Sequence, residues 1–104
     1  MSTRFVPGDP VVYTAPKAST HPGPRAINVS PSEMGELYRY EVEKYWRVAE
    51  VRQDGKVVLL TRRGKRRVCS ASDRRLRKAG FVDRLRNRNR FPEVQMVESF
   101  SRAS

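Results

Sequence analysis

One dipeptide constrains the fold of this chain more than any other local feature. Asp54-Gly55 sits in Gln53-Asp54-Gly55-Lys56, between two β-rich runs, Tyr45 to Arg52 and Val57 to Arg62. Asp-Gly in that setting favours a tight hairpin turn, because glycine takes positive φ at no steric cost. Val57 to Leu60 is apolar on both faces, which predicts a central strand. Arg63-Gly64-Lys65 reads as a second hairpin turn, returning as Arg66-Arg67-Val68-Cys69-Ser70.

Two further runs extend the sheet. Val11-Val12-Tyr13-Thr14 follows the turn signal Pro7-Gly8-Asp9-Pro10 and predicts a short first strand. Leu37 to Val42 alternates, with Tyr38, Tyr40 and Val42 on one face and Arg39 and Glu41 on the other. Glu43-Lys44 is the expected bend or bulge before the run at Tyr45. Six of the seven prolines precede residue 32, so residues 15–35 are expected to form a long loop, functional or partly disordered.

After Ser70 the period changes. Ser72 is placed to cap a helix starting at Asp73, and Leu76, Ala79, Val82 and Leu85 recur every three residues. Pro92 stops further helix, and the end of the chain, from Glu98, has no periodicity and is expected to fray. The 104 residues therefore predict one mainly β domain over 1–90. A small barrel of about five strands spans 5–70, with the Pro-rich loop at 15–35, a basic helical segment at 72–90 and a tail at 91–104.

The opening Phe5-Val6-Pro7-Gly8-Asp9-Pro10-Val11-Val12-Tyr13 resembles the entry of SH3-like small barrels of the KOW and Tudor kind, which often begin with a Gly-Asp turn leading into a β-rich strand. The resemblance covers roughly residues 5–70. The chain departs from it at Pro10 and in the long Pro-rich insertion. It implies an SH3-like barrel and the family habit of binding RNA or peptide tails. The pattern PGPRA, KYWRV, TRRGK also resembles small uncharacterised basic bacterial proteins, a likeness that implies no activity.

Charge is the strongest pointer to a partner. The chain carries 22 Lys and Arg against 11 Asp and Glu, a net of +11. Residues 62–90 hold 13 basic and 2 acidic side chains, residues 1–61 hold 8 and 7, and residues 91–104 hold 1 and 2. One segment thus carries the whole excess, which favours a polyanion such as nucleic acid. No run is long and apolar enough to span a membrane, the N-terminus lacks an apolar leader, and Ser2 stands where myristoylation needs glycine. A membrane partner is therefore not expected. The single cysteine, Cys69, cannot form an internal disulfide, which fits a reducing cytoplasm.

Arg62, Arg63, Lys65, Arg66 and Arg67 are expected on a turn that exposes backbone N–H groups, an arrangement suited to phosphates. Arg74, Arg75, Arg77, Lys78, Arg84, Arg86, Arg88 and Arg90 extend that patch as an arginine-rich helical arm. The bland reading of both is a solvated basic surface. Arg outnumbers Lys by 17 to 5, which suits bidentate and stacking contacts with RNA. Tyr38, Tyr40, Tyr45 and Trp46 are candidates for base stacking, with core packing the competing reading.

No catalytic or metal-ligand constellation is present. His21 is the only histidine and lies in the Pro-rich run, whereas Cys69 lies on an expected strand, where a buried inert thiol is the simpler reading. No cofactor is implied. The sequence predicts a non-enzymatic RNA-binding protein, with a ribosome-associated role as its expected context. A DNA-binding accessory protein and a peptide-gripping interaction module remain the alternatives, and the oligomeric state is left open.

Overall fold

A computed structural model describes residues 4–33 and 35–103. The chain is mainly β, as its sequence predicts. Its strands are β1 (Pro10–Ser19), β2 (Ile27–Pro31), β3 (Tyr38–Val51), β4 (Lys56–Leu60), β5 (Arg66–Ser70) and β6 (Leu76–Lys78). Two helices follow, α1 (Phe81–Arg86) and α2 (Val94–Ala103). The strands form one six-stranded sheet in the order β5-β4-β3-β1-β6, with β2 also paired to β3. The path does not close into a barrel. Among the described residues, no helix is long and apolar enough to cross a membrane.

The two expected hairpin turns form where turn chemistry places them. Gly55 adopts φ +83°, Arg52 N–H donates to the Lys56 carbonyl at 2.9 Å, and Lys56 N–H donates to Asp54 Oδ1 at 3.1 Å. This aligns Val51 with Val57 and Val48 with Leu59. The register shifts between Val48 and Glu50, and β3 is one continuous strand through Glu43-Lys44. The next hairpin aligns Val57 with Cys69 and Leu59 with Arg67.

The chain divides into two compact units. The first comprises residues up to Tyr13 and from Tyr45 onward, and the second spans Thr14–Lys44. In the first unit, β4 is buried on both faces, as a central strand must be. Val57 and Leu59 face one cluster with Phe5, Val11, Val48 and Leu76, and Tyr13, Trp46, Cys69 and Ala71 pack around it. Val58 and Leu60 face the other way, against Ala49 and Val97 of α2. The first of these clusters draws on β1, β3, β4 and β6, with Cys69 of β5 packed against it. A flat sheet would hold β5 and β6 about 19 Å apart, at ~4.8 Å per strand step. Yet Ser70 and Leu76 are joined by successive turns, Asp73 N–H to the Ser70 carbonyl and Leu76 N–H to the Asp73 carbonyl. Within this unit the sheet therefore curls, although its path does not close.

The helical segment expected from Ser72 does not form as such. Ser70 Oγ accepts from Ser72 N–H at 3.2 Å, and Asp73 Oδ1 accepts from Arg75 N–H at 2.8 Å. These side chains satisfy turn backbone instead of capping a helix. Leu76 enters the core, and β6 pairs with β1 through Tyr13–Leu76, Val12–Arg77 and Val11–Lys78. Helix begins only at Phe81 and lasts six residues. The expected tail is also different: Val94–Ala103 is helical, and buried Val97 docks it.

In the second unit, part of the loop expected at 15–35 is sheet: the far half of β1 and all of β2 are extended, with residues 20–26 left as turn and loop between them. The strand expected at Leu37 to Val42 forms as the first half of β3, and β2 pairs with it through Ile27–Glu41, Ser30–Arg39 and Pro31–Tyr38. A register shift between Ile27 and Ser30 includes Asn28 at φ +52°, whose side-chain amide donates to Glu41 at 2.6 Å. Prolines are compatible with these strands because of where they fall. Pro16 lies beyond Tyr13, where β6 stops pairing with β1, and Pro31 ends β2.

Candidate nucleic-acid interface

All thirteen cations singled out from the sequence lie in the first unit. The β4–β5 turn presents three of them. Thr61 anchors it: its N–H donates to the Lys65 carbonyl, its carbonyl accepts from Gly64 N–H (both at 2.9 Å), and its hydroxyl accepts from Lys65 N–H at 3.0 Å. Gly64 takes φ +86°, which a side chain there would strain. Arg62, Arg63 and Lys65 are consequently exposed on a compact, internally bonded turn.

Arg66 and Arg67 are not on that turn. They lie on β5, opposite Leu60 and Leu59, so their side chains leave the sheet on alternate faces. β5 ends the described strand path, and charged side chains on such a strand discourage pairing with other chains. The expected five-cation turn is thus a three-cation turn continued by an arginine edge.

Several of the remaining cations are held by partners within the fold. Arg77 donates to both carboxylate oxygens of Asp83, at 2.7 and 3.3 Å, and Gly80 N–H donates to the same carboxylate at 2.9 Å. The Arg77 hydrogen bond, aided by Gly80 and against the opposing pull of partial burial, holds the Asp83 carboxyl below its ordinary pKa. Lys78 pairs with Asp9 at 3.6 Å and lies 5.9 Å from the Phe5 ring centre. Arg90 stands 5.5 Å over the Tyr45 ring. Arg74, Arg75, Arg84, Arg86 and Arg88 are exposed. The basic arm is therefore a turn, a short strand and a one-turn-and-a-half helix clamped together, with its outer cations facing solvent.

Arg47 carries a role that charge counting missed. It is half-buried, donating from Nε to the Pro92 carbonyl at 2.6 Å and from Nη1 to the Gly8 carbonyl at 2.9 Å. Burial, and then the nearby positive charge of Arg84, weaken its hold on its proton. It ties the approach to α2 to the turn before β1.

Of the aromatic candidates, Trp46 stacks on Tyr13 with ring centres 5.3 Å apart and packs against the core. Tyr45 meets Phe91 edge-on at the same separation. In the second unit Tyr38 is exposed, and the Tyr40 hydroxyl bonds the Ser19 hydroxyl at 3.1 Å. The aromatic ring the sequence reading passed over is Phe81, 71% exposed at the start of α1. Its only signal was position, an aromatic inside an otherwise basic segment.

Cys69 is half-buried, and burial, reinforced by Asp73, pushes its thiol up to about 11. At neutral pH it is a protonated, poorly nucleophilic group. Among the described residues no cluster of His, Cys, Asp and Glu could hold a metal ion. No family model matches this chain, and neither a curated protein nor a solved structure shows significant similarity to it.

Proposed function

We propose that this chain is a non-enzymatic nucleic-acid-binding protein of the cytoplasm, with RNA as the favoured ligand and the ribosome as the expected setting. The observation that carries this reading is the confinement of the net +11 to residues 62–90, within one unit. The two acidic residues in that segment are already engaged, Asp73 by the Arg75 N–H and Asp83 by Arg77. Twelve of the thirteen cations there are exposed, Arg77 and Lys78 among them although they pair with Asp83 and Asp9. Like charges held this close repel one another and lower stability, a cost that phosphates relieve. Guarding the sheet edge accounts for Arg66 and Arg67 but not for the turn or α1 cations. Arginine's bidentate and stacking geometry favours RNA over DNA, and the SH3-like resemblance over residues 5–70 implies a habit of binding RNA or peptide tails.

Purification with and without nuclease tests the reading. The expected result is an eluate with a raised ultraviolet absorbance ratio that RNase, and not DNase, returns to that of pure protein. An acidic protein partner that survives both nucleases would contradict it and favour an interaction module.

A further inference from the structure

We infer that Phe81, with Val82 and Leu85 beside it, is a stacking platform for unpaired bases, so that the ligand class is single-stranded nucleic acid and not a duplex. The inference rests on the nucleic-acid reading above and goes beyond it by naming the strandedness and the residue that reads it.

α1 buries none of its residues, although half of it is apolar. Phe81 is 71% exposed, Val82 58% and Leu85 61%. Phe81 and Leu85, four residues apart, share one helix face. Short isolated helices do not persist in water, so something other than apolar docking must hold this one. Polar clamps do. The Asp83 carboxylate gathers Gly80 N–H and the Arg77 guanidinium, tying α1 to β6, and the Asn87 side-chain amide closes the other end by donating to the Asp83 carbonyl at 3.1 Å. The result is an apolar group presented to solvent on a fixed backbone.

Charge complementarity decides what covers it. Arg84 and Arg86 lie on α1 itself, Arg88 lies just beyond it, and all three are exposed. A partner that brings both apolar faces and negative charge fits this mixture. Unpaired nucleotides carry both on every residue: a base with a π-face and a phosphate. A duplex offers the phosphates but keeps its base faces stacked inside. The other described aromatic rings of this unit are already used: Phe5 and Phe91 are buried, Tyr13 and Trp46 stack on each other, and Tyr45 lies between Phe91 and Arg90. Among the described rings of this unit, Phe81 is the one left to meet a base.

The test measures binding of a short mixed-sequence single-stranded RNA, the same RNA annealed to its complement, and vesicles containing an anionic phospholipid. Phe81→Ala is expected to weaken single-strand binding about tenfold, the scale of one lost base–aromatic stack, and to leave duplex binding within about twofold. Phe81→Leu should behave like Phe81→Ala, because it keeps the apolar bulk and loses the π-face. Phe81→Trp should retain affinity, and its added emission should be quenched by the single strand. Because the side chain is exposed, all three variants should keep the parent's thermal midpoint. Unchanged single-strand affinity in Phe81→Ala, with affinity reduced when Arg62, Arg63, Lys65 and Arg67 are replaced by Gln, would overturn the platform and leave the nucleic-acid reading standing. Loss of vesicle binding in Phe81→Ala with single-strand binding intact would assign the surface to a membrane and overturn it as well. A parent protein that binds neither RNA would bring down both.

Discussion

The two helices have similar material and opposite fates. α1 holds Phe81, Val82 and Leu85 and buries none of them. α2 places Val97 against Ala49, Val58 and Leu60, with Met96 alongside, and that contact covers the second face of β4. α2 is part of the fold in the ordinary sense, an apolar stripe docked on a sheet. α1 is attached by ions and hydrogen bonds, which leaves its apolar residues free for something else. A hydrophobic residue in a small protein therefore cannot be assigned to the core by type alone; what holds its element in place has to be known first.

The sharpest way to break this comparison is at Val97. Val97→Ala removes two buried methyl groups and should cost about 2 kcal/mol in a denaturant titration. Phe81→Ala removes a much larger side chain and should stay within about 0.5 kcal/mol of the parent. Equal losses would mean that α1 is docked by its apolar residues after all.

A smaller effect is expected at the clamp. Because folding lowers the Asp83 pKa, the ionised carboxylate stabilises the folded state. That contribution is complete above the ordinary carboxylate value of ~3.9 and is lost as pH falls through the lowered folded value. Asp83→Asn should cost about 1 kcal/mol or less near neutral pH, since the pair is partly screened by solvent. The variant should also lose less stability than the parent on acidification below that range. If Asp83→Asn kept the parent's full acid sensitivity, the clamp would contribute nothing.

What could be read from the sequence follows the range of the interactions involved. The β3–β4 and β4–β5 hairpins are legible because Asp54-Gly55, Arg63-Gly64 and a run apolar on both faces are local signals. The strands within 15–35 are not, because Pro16 and Pro31 read as breakers unless it is known which strand edges go unpaired. The segment after Ser70 is misread for a related reason. Ser72 and Asp73 suit a helix cap and a turn equally, and the choice is made by Leu76 entering the core opposite Tyr13. α2 is missed because its anchor, Val97, has meaning only against Ala49, Val58 and Leu60. For the candidate site, the basic segment stands out in a charge count. The division of its cations does not: Arg77 and Lys78 are committed to Asp83 and Asp9, while the turn arginines are exposed.

The central claim, that the exposed cations of residues 62–67 contact phosphates, is tested most directly by the salt dependence of single-stranded RNA binding. Arg62, Arg63, Lys65 and Arg67 are all exposed, so replacing the four by Gln should leave the fold intact. If each contacts a phosphate, the slope of log affinity against log salt should shrink by about 3, at ~0.7 counterions released per contact. Replacing Arg4, Lys17 and Arg25, exposed cations outside the basic segment, should leave the slope nearly unchanged. Equal shrinkage in the two variants would mean that binding follows net charge alone, and would contradict a phosphate site built on this turn and edge.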